Sequence, residues 1–245
     1  MQENSALGRA VAMVRDLRIR CSWDRIQTRE TLRPYLIEEV HELDRALAGA
    51  EPAAIRHEVA DLLLHLAWQL VLAEELGEFT ADDVATDLEA KMKRRHPHLF
   101  DLGPKEQWEM LKRRERTGGV LDGLPPSLPE LLMAQRLQER AAGVGFDWPD
   151  ASGPAAKVRE ELAEVEAETS PERVDHEIGD LLFSVVNLAR KVGVHPGPAL
   201  DRANTRFAER FRIVERLAAE RGMEMHRVGL EELDNLWEEA KSGKK

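Results

Sequence analysis

The segment at residues 176–182 reads HEIGDLL, and it follows a second acidic segment, REELAE, at residues 159–164. The same pair occurs about 120 residues earlier, as IEEVHE at 37–42 and HEVADLL at 57–63. Short breaks, from Gly49 to Pro52 and from Thr169 to Pro171, separate the two segments of each pair. Because proline and glycine interrupt runs of strong helix formers at these breaks, each pair predicts two helices joined by a tight connection. The repeated pair therefore predicts an all-α fold made of two tandem repeats, each an antiparallel bundle of four to five helices.

The acidic residues of each segment are three positions apart, so they lie on one face of a helix. A short connection makes the two helices antiparallel neighbours, which lets one pair of carboxylates face the other. These carboxylates are Glu39, Glu42, Glu58 and Asp61 in the first repeat and Glu161, Glu164, Glu177 and Asp180 in the second. A single pair of this spacing is usually a solvated helix face. Here Asp61 and Asp180 each open an apolar run, which favours burial of the carboxylates within the bundle.

Four carboxylates near one point repel one another, so a divalent cation is the counter-charge that such a cluster favours. Ligands made of oxygen alone suit Mg²⁺, with Mn²⁺ as a substitute, rather than zinc. Downstream of each motif, two basic residues are four positions apart on one helix face: Lys91 and Arg95, then Arg206 and Arg210. Since phosphate oxygens commonly complete the coordination of Mg²⁺, these cations are predicted to bind substrate phosphates.

Other landmarks repeat in the same order and delimit the two halves. Trp23 and Trp148 precede the acidic segments, and helices around Trp108 and Trp237 follow the basic ones. Between the halves, glycines at 118 and 119 and prolines at 125, 126 and 129 break any helix. The predicted organisation is an N-terminal repeat over residues 1–119, a Pro/Gly-rich linker over 120–130, and a C-terminal repeat over 131–245.

Composition and charge exclude several classes of protein. Of 245 residues, 42% are hydrophobic but 5% are aromatic, which favours helices over strands. The formal net charge of −11 argues against binding to a nucleic-acid polymer, which needs basic surface. With one cysteine, Cys21, the chain has no internal disulfide. We find no signal peptide and no apolar stretch of about 18 residues, so no membrane association and a cytoplasmic location are predicted.

The ordered set of motifs resembles the MazG family of nucleoside triphosphate pyrophosphohydrolases. Besides the acidic segments, the resemblance rests on CSWD at 21–24, RRHPHLF at 94–100, SLP at 127–129, VGFDW at 144–148 and GDLLF at 179–183. It implies an all-α homodimer that converts a nucleoside triphosphate and water to the monophosphate and pyrophosphate, with Mg²⁺ bound by the carboxylates named above. It also implies nucleotide contacts at Lys157, Arg173, Arg206, Arg210 and Trp237. Arg173 and Arg206 depart from the family pattern, in which lysine is common, and the second repeat is often the competent site.

The mechanism that we expect is attack of a water on the α-phosphorus, with pyrophosphate as the leaving group. Glu161 holds the cation, and the adjacent Glu160 is predicted to orient the water, with Glu38 as its counterpart in the first repeat. Trp237 either stacks on a base or packs the terminal helix. The pathway role, either control of nucleotide pools or removal of aberrant nucleotides, stays open.

Two other classes of protein could contain acidic helices of this kind. A di-iron or di-manganese bundle needs Glu-x-x-His on two helices. Glu38 and His41 have that spacing, but Ala163 occupies the matching position of the second repeat, which argues against this class. The other interpretation is a non-catalytic helical regulatory or scaffold protein with structural metal sites.

Overall fold

In the computed structural model of the chain, residues 5–105 and 118–243 are described, and every regular element in these ranges is helical. The all-α prediction is therefore confirmed. The chain divides into two compact units, Met1–Glu106 and Gln107–Lys245. Within the described ranges, no helix is both long and apolar enough to cross a lipid bilayer. The helix predicted around Trp108 lies outside the described residues, and the repeat and linker boundaries at 119 and 130 stay predictions.

The first unit contains five α-helices and a short 3₁₀ helix in its described part. They are α1 (Ala6–Arg20), α2 (Ser22–Arg25), α3 (Arg29–Gly49), α4 (Pro52–Leu76), α5 (Ala81–Arg95) and the 3₁₀ helix Pro97–Leu99. Helix α4 packs against both α3 and α1, so it is the central element of this unit.

Local sequence explains where the acidic helices of this unit begin and end. Thr28 caps α3 in a reciprocal capping box with Thr31, which satisfies backbone N–H groups at the helix start. Helix α3 ends where Ala50 takes a left-handed conformation at φ 55°, and α4 begins with Pro52 in its first turn. Gly77 ends α4 at φ 67°, a conformation that glycine adopts without strain. The predicted break between the two acidic helices is thereby confirmed.

The core of the first unit lies between α1 and the second half of α4. Val11, Val14, Trp68 and Val71 are buried there, and Leu32 of α3 joins them. The guanidinium of Arg18 lies over the Trp68 ring, 5.4 Å from its centroid, which closes one side of this core. The apolar run of α4 therefore anchors the helix that carries Glu58 and Asp61.

The second unit contains five α-helices in its described part. They are α6 (Glu130–Ala142), α7 (Ser152–Ala167), α8 (Pro171–Lys191), α9 (Pro196–Glu220) and α10 (Leu230–Ser242). Helices α7 and α8 form the hairpin that carries the second set of acidic segments, and α6 packs on α8. Val214 and Ala218 of α9 pack with Leu236 and Ala240 of α10 in a separate buried cluster.

The loop before α7 is tied to the end of α8 by charge. Arg190 donates two hydrogen bonds to the carboxylate of Asp147, at 2.5 and 3.1 Å, and Lys191 Nζ lies 3.2 Å from the same group. The Arg190 hydrogen bond is the main cause of a lowered pKa of Asp147, and Lys191 adds to it. Next in the chain, the Trp148 ring lies so close to Gly153 that a Cβ there would meet Trp148 Cδ1 at 2.0 Å. These contacts hold the loop against the hairpin.

We predict that Asp147→Asn lowers the free energy of unfolding by about 1 kcal/mol at pH 7, because it removes charge-assisted hydrogen bonds to a side chain that is 21% exposed. The folded-state pKa of Asp147 lies below its unfolded value of about 3.9, so the stabilisation is complete above that pH and is lost as the pH falls through the folded-state pKa. Urea unfolding measured from neutral to strongly acid pH should show wild type and variant converging. The control is Asp201→Asn, at an exposed position of α9, and equal destabilisation at every pH would contradict the prediction.

Candidate metal centres and active-site cavity

The α7–α8 hairpin brings three of the predicted ligands of the second repeat together. Glu161 of α7 meets Glu177 and Asp180 of α8, and one carboxylate oxygen of each lies within 4.8 Å of the others. Glu161 is buried, Glu177 is half-buried and Asp180 is exposed. We call this group the second triad. Its members lie at similar distances along the chain from the turn at 168–170, so the antiparallel connection is what makes them meet.

The α3–α4 hairpin forms a matching group in the first repeat. Glu39 of α3 meets Glu58 and Asp61 of α4 with the same mutual limit of 4.8 Å between their oxygens, and all three are half-buried. We call this group the first triad. The sequence pattern thus leads to two equivalent arrangements of three carboxylates, one in each unit.

The fourth acidic residue of each set, Glu42 or Glu164, lies outside these triads but interacts with them electrostatically. A hydrogen bond with Glu161 is the main cause of a raised pKa of Glu164, followed by burial and by repulsion from Glu161 and Glu177. Glu42 contributes repulsion to the pKa of Glu39. The assignment of all eight acidic residues as metal ligands stays a prediction.

Lys157 is the main source of positive charge at the second triad. Its Nζ lies 2.6 Å from Glu161 Oε1 and 2.7 Å from Glu160 Oε1, all within α7. The hydrogen bond from Lys157 is the largest cause of a lowered pKa of Glu161. Hydrogen bonds to Glu160 and Glu161 in turn raise the pKa of Lys157. Glu161 is therefore held ionised, and the spacing of four between Lys157 and Glu161 is a sequence signal for this pairing.

The equivalent carboxylate of the first triad has the opposite shift. Burial, followed by repulsion from Asp61, Glu42, Glu58 and Glu38, raises the pKa of Glu39. The position that corresponds to Lys157 is Tyr35, so α3 provides no ammonium one turn before Glu39. The lysine that only the second repeat has at this position thus accompanies opposite pKa shifts at a shared acidic position.

A buried histidine, His65, borders the first triad and was not among the predicted site residues. The side chain of His65 on α4 is 8% exposed, and its Nε2 lies 4.0 Å from Glu39 Oε1. Burial lowers the pKa of His65, partly offset by the negative charge of Asp61. The signal in the sequence was one polar residue inside an apolar run, four positions after Asp61. The corresponding residue of α8 is Ser184, which is also buried.

A cavity of about 500 Å³ opens beside the second triad. Its wall includes two triad members, the ammonium of Lys157 and three loop residues that the sequence analysis did not assign to a site: Glu161, Asp180, Lys157, Phe146, Asp147 and Trp148. Trp148 and Phe146 are exposed, and apolar side chains such as Phe183 provide most of the cavity wall around these charged groups. The cavities described in the first unit are formed by α1, α4 and the start of α5, away from the first triad.

The predicted phosphate-binding residues of α9 and the tryptophan of α10 are not part of that cavity wall. Arg210 lies over the Trp237 ring at 4.9 Å, and Phe207 packs on the same ring at 5.2 Å. Arg206 is exposed. Trp237 is half-buried against the α9–α10 core, so packing accounts for its position. A substrate contact of these residues stays a prediction.

The other predicted substrate-binding and catalytic residues lie in differing surroundings. Arg173 Nε lies 3.1 Å from Glu168 Oε2, at the turn between α7 and α8. Lys91 and Arg95 are half-buried on α5. Glu160 and Glu38 are exposed, and Glu160 shares Lys157 with Glu161. Their substrate-binding and catalytic roles stay predictions.

The chemistry of both triads fits a divalent cation. Mg²⁺ binds oxygen at about 2.0–2.1 Å, so two oxygens on one ion lie at most about 4.2 Å apart. The 4.8 Å limit within each triad exceeds this by an amount that small side-chain rotations close. Carboxylates supply the negative charge that offsets desolvation of the ion. In the second triad the cation would share Glu161 with the Lys157 ammonium.

Comparisons with known proteins agree with one another. The family model of the MazG nucleotide pyrophosphohydrolase domain matches residues 27–100. A Thermotoga maritima protein named nucleoside triphosphate pyrophosphohydrolase/pyrophosphatase MazG is 42% identical over 229 residues, 91% of this chain and 90% of that protein. An Escherichia coli K12 protein named nucleoside triphosphate pyrophosphohydrolase is 39% identical over 244 residues, 93% of each chain.

Proposed function

This chain belongs to the MazG family of nucleoside triphosphate pyrophosphohydrolases, and from that premise we propose where and how it acts on its substrate. The reaction that we propose is hydrolysis of a nucleoside triphosphate to the monophosphate and pyrophosphate, at the cavity beside the second triad. The observation that carries this proposal is the meeting of Glu161 and Asp180 with Lys157 in the wall of one cavity of about 500 Å³. Family membership favours this hydrolase over a non-catalytic scaffold.

Glu161, Glu177 and Asp180 would hold Mg²⁺, or Mn²⁺ in its place, with Glu164 as a fourth carboxylate. When bound, the cation offsets phosphate charge and polarises the phosphorus under attack. Glu161 is held ionised by Lys157, which supports its role as the leading ligand. We assign the corresponding roles in the first repeat to Glu39, Glu42, Glu58 and Asp61.

The residues around the second triad would bind and orient the reactants. Glu160 is exposed next to Glu161, so it is suited to accept a hydrogen bond from the attacking water. Lys157 lies beside both glutamates, which suits it to neutralise a phosphate oxygen next to the cation. Glu38 is the matching residue of the first repeat, where Lys91 and Arg95 are the candidate phosphate ligands.

Arg206, Arg210, Arg173 and Trp237 are proposed to contact the nucleotide on the strength of the family resemblance. One observation supports a ligand for Arg210. Its Nε is buried and has no hydrogen-bond partner among the described residues. An unsatisfied buried donor is costly, and an anionic oxygen would satisfy it. These cations would offset charge on the leaving pyrophosphate.

We propose that the working unit is a homodimer. Ile178, Leu182 and Val185 form one exposed apolar stripe on α8, and Val84 and Leu88 form another on α5. Contiguous apolar surface of this kind usually marks an interface, and a two-fold dimer buries the same patch on both copies. The proposed role in nucleotide-pool control or in removal of aberrant nucleotides, and the cytoplasm as its location, rest on the sequence.

We predict that the products formed in ¹⁸O-labelled water are labelled nucleoside monophosphate and unlabelled pyrophosphate, because water attacks the α-phosphorus and the β-phosphorus leaves unchanged. Mass spectrometry of both products after reaction with Mg²⁺ measures this directly. Label in pyrophosphate, or release of diphosphate and phosphate, would exclude the proposed step. Turnover on a panel of common and modified nucleotides in the same assay tests the proposed pathway role.

We predict that Glu161→Gln lowers kcat by at least about 100-fold, because it neutralises the leading cation ligand without changing its size. The matched variant Glu39→Gln alters the same position of the first triad. Its kcat is expected to stay within about threefold of wild type, since Glu39 belongs to the other compact unit and is not a ligand of the proposed active site. A large loss in Glu39→Gln with little loss in Glu161→Gln would move the active site to the first repeat.

Sedimentation equilibrium is expected to give twice the mass of one chain for the wild-type protein. Val185→Glu places a charge in the α8 stripe and should shift the population to monomer, because a desolvated unpaired charge opposes association. The control is Leu230→Glu, at an exposed position of α10, which should leave the mass unchanged. A monomeric wild-type protein would refute the dimer.

A further inference from the structure

The cavity beside the second triad has two chemically different parts. Glu161 and Asp180 contribute carboxylates to its wall, and both are candidate ligands of the cation. Elsewhere in the wall, two neutral amides, Gln138 of α6 and Asn187 of α8, lie among apolar side chains such as Phe183. Gln138 is 6% exposed and Asn187 is 7% exposed. Neutral polar groups in an apolar wall suit a neutral heterocycle rather than a phosphate.

Arg190 fixes the orientation of the Asn187 amide. Its Nε and Nη2 donate hydrogen bonds to Asn187 Oδ1 at 3.1 and 2.7 Å. Because a guanidinium can only donate, the amide atom that accepts from it must be the oxygen, which leaves Nδ2 to other partners. Arg190 is in turn held by the carboxylate of Asp147. Asn187 therefore offers a hydrogen-bond donor that no acceptor among the described residues uses.

Gln138 has the complementary unused group. Its Nε2 donates a hydrogen bond to the backbone oxygen of Phe183 at 2.8 Å. A carbonyl oxygen can only accept, so the amide atom beside it is the nitrogen, and Oε1 remains as an acceptor. This Oε1 is buried and has no hydrogen-bond partner in the part of the chain that the structure describes. A buried acceptor without a partner is unfavourable, and an N–H group of a bound molecule would satisfy it.

The position of Asn187 along α8 matches the length of a nucleotide. Asp180, Ser184 and Asn187 follow one another at intervals of four and three residues, so they share one helix face. Seven residues separate Asp180 from Asn187, which is about 10 Å along the helix axis. This rise is comparable to the distance from the α-phosphorus to the far edge of the base in an extended nucleotide. A substrate whose α-phosphorus lies at the triad can therefore reach Asn187 with its base.

We propose that this cavity binds the nucleobase of the substrate through Asn187 and Gln138. Asn187 Nδ2 donates to an acceptor atom of the base, and Gln138 Oε1 accepts from one of its N–H groups. This inference rests on the proposed function and adds the residues that select the base. The Watson–Crick edge of each base offers both an acceptor and an N–H donor. Phe183, Phe146 and Trp148 contribute aromatic rings to the same wall, on which a base can stack.

The first test compares a nucleoside triphosphate with ribose 5′-triphosphate, which has the same reacting phosphates but no base. Asn187→Asp keeps the acceptor for Arg190 and replaces the Nδ2 donor, whereas Gln138→Met removes the Oε1 acceptor at similar volume. Each variant should lower kcat/KM for the nucleoside triphosphate by about tenfold or more relative to kcat/KM for ribose 5′-triphosphate. A general loss of structure or of phosphate binding lowers both values together and leaves their ratio unchanged.

Gln135→Met is the matched control for Gln138→Met. Gln135 is also buried on α6, 4% exposed and three residues before Gln138. Its amide contacts Glu139 and His195, and it is not part of the described cavity wall. The ratio of the two kcat/KM values in this variant should equal that of the wild-type protein.

Methylated bases provide a second test that needs no substitution in a buried site. In a nucleotide, uracil and hypoxanthine each have one ring N–H, which methylation at N3 of uracil or N1 of hypoxanthine removes. The wild-type protein should have a kcat/KM at least about tenfold lower for each methylated triphosphate than for its parent, because Gln138 Oε1 is then left unpaired. Gln138→Met should reduce that difference.

The outcomes separate this inference from the function on which it rests. Equal efficiency on the parent and methylated nucleotides, or an unchanged ratio in both Asn187→Asp and Gln138→Met, overturns the inference and leaves the proposed hydrolysis intact. Absence of turnover of nucleoside triphosphates by the wild-type protein overturns both.

Discussion

Repulsion between like charges is the constraint on which the architecture depends. Each helical hairpin brings three carboxylates within 4.8 Å of one another, and a fourth lies near enough to shift their pKa values. Apolar contacts hold the first hairpin in place, as the packing of Trp68 and Val71 does for α4. Because this repulsion arises in both repeats, each cluster of carboxylates favours positive counter-charge, which a bound divalent cation would provide.

The two repeats offset the repulsion in different ways. In the second repeat, Lys157 lies one helical turn before Glu161 and lowers the pKa of that carboxyl. In the first repeat, Tyr35 takes the place of the lysine, the pKa of Glu39 is raised, and a buried His65 borders the cluster. Duplication of a motif thus preserved the positions of the acids while their environments diverged. Equal patterns of acidic residues therefore do not imply equal electrostatic environments.

The sequence predicts features that depend on neighbouring residues better than those that depend on distant ones. The all-α fold and the breaks at Pro52 and Pro171 follow from local preferences, and a spacing of three on two joined helices was enough to bring Glu39 to Glu58 and Asp61. The pairing of Asp147 with Arg190 has no periodic signal, because 43 residues separate the partners. The same reason explains why Phe146 was not assigned to the cavity, and why the basic residues of α9 could not be placed relative to the acids. His65 and Lys157 were within reach of local reasoning, since both lie four positions from a triad member.

The Lys157–Glu161 pair also affects the order in which the two hairpins assemble. Both members belong to α7, so their charges pair as soon as that helix forms, on the sub-microsecond to microsecond scale of helix formation. The second hairpin therefore closes with part of its charge already balanced. The first hairpin has no such pair on α3 before Glu39, and its acids meet only when α3 and α4 dock. We therefore expect closure of the first hairpin to meet more repulsion, so that divalent ions in solution should assist the folding of this half of the chain more than that of the other.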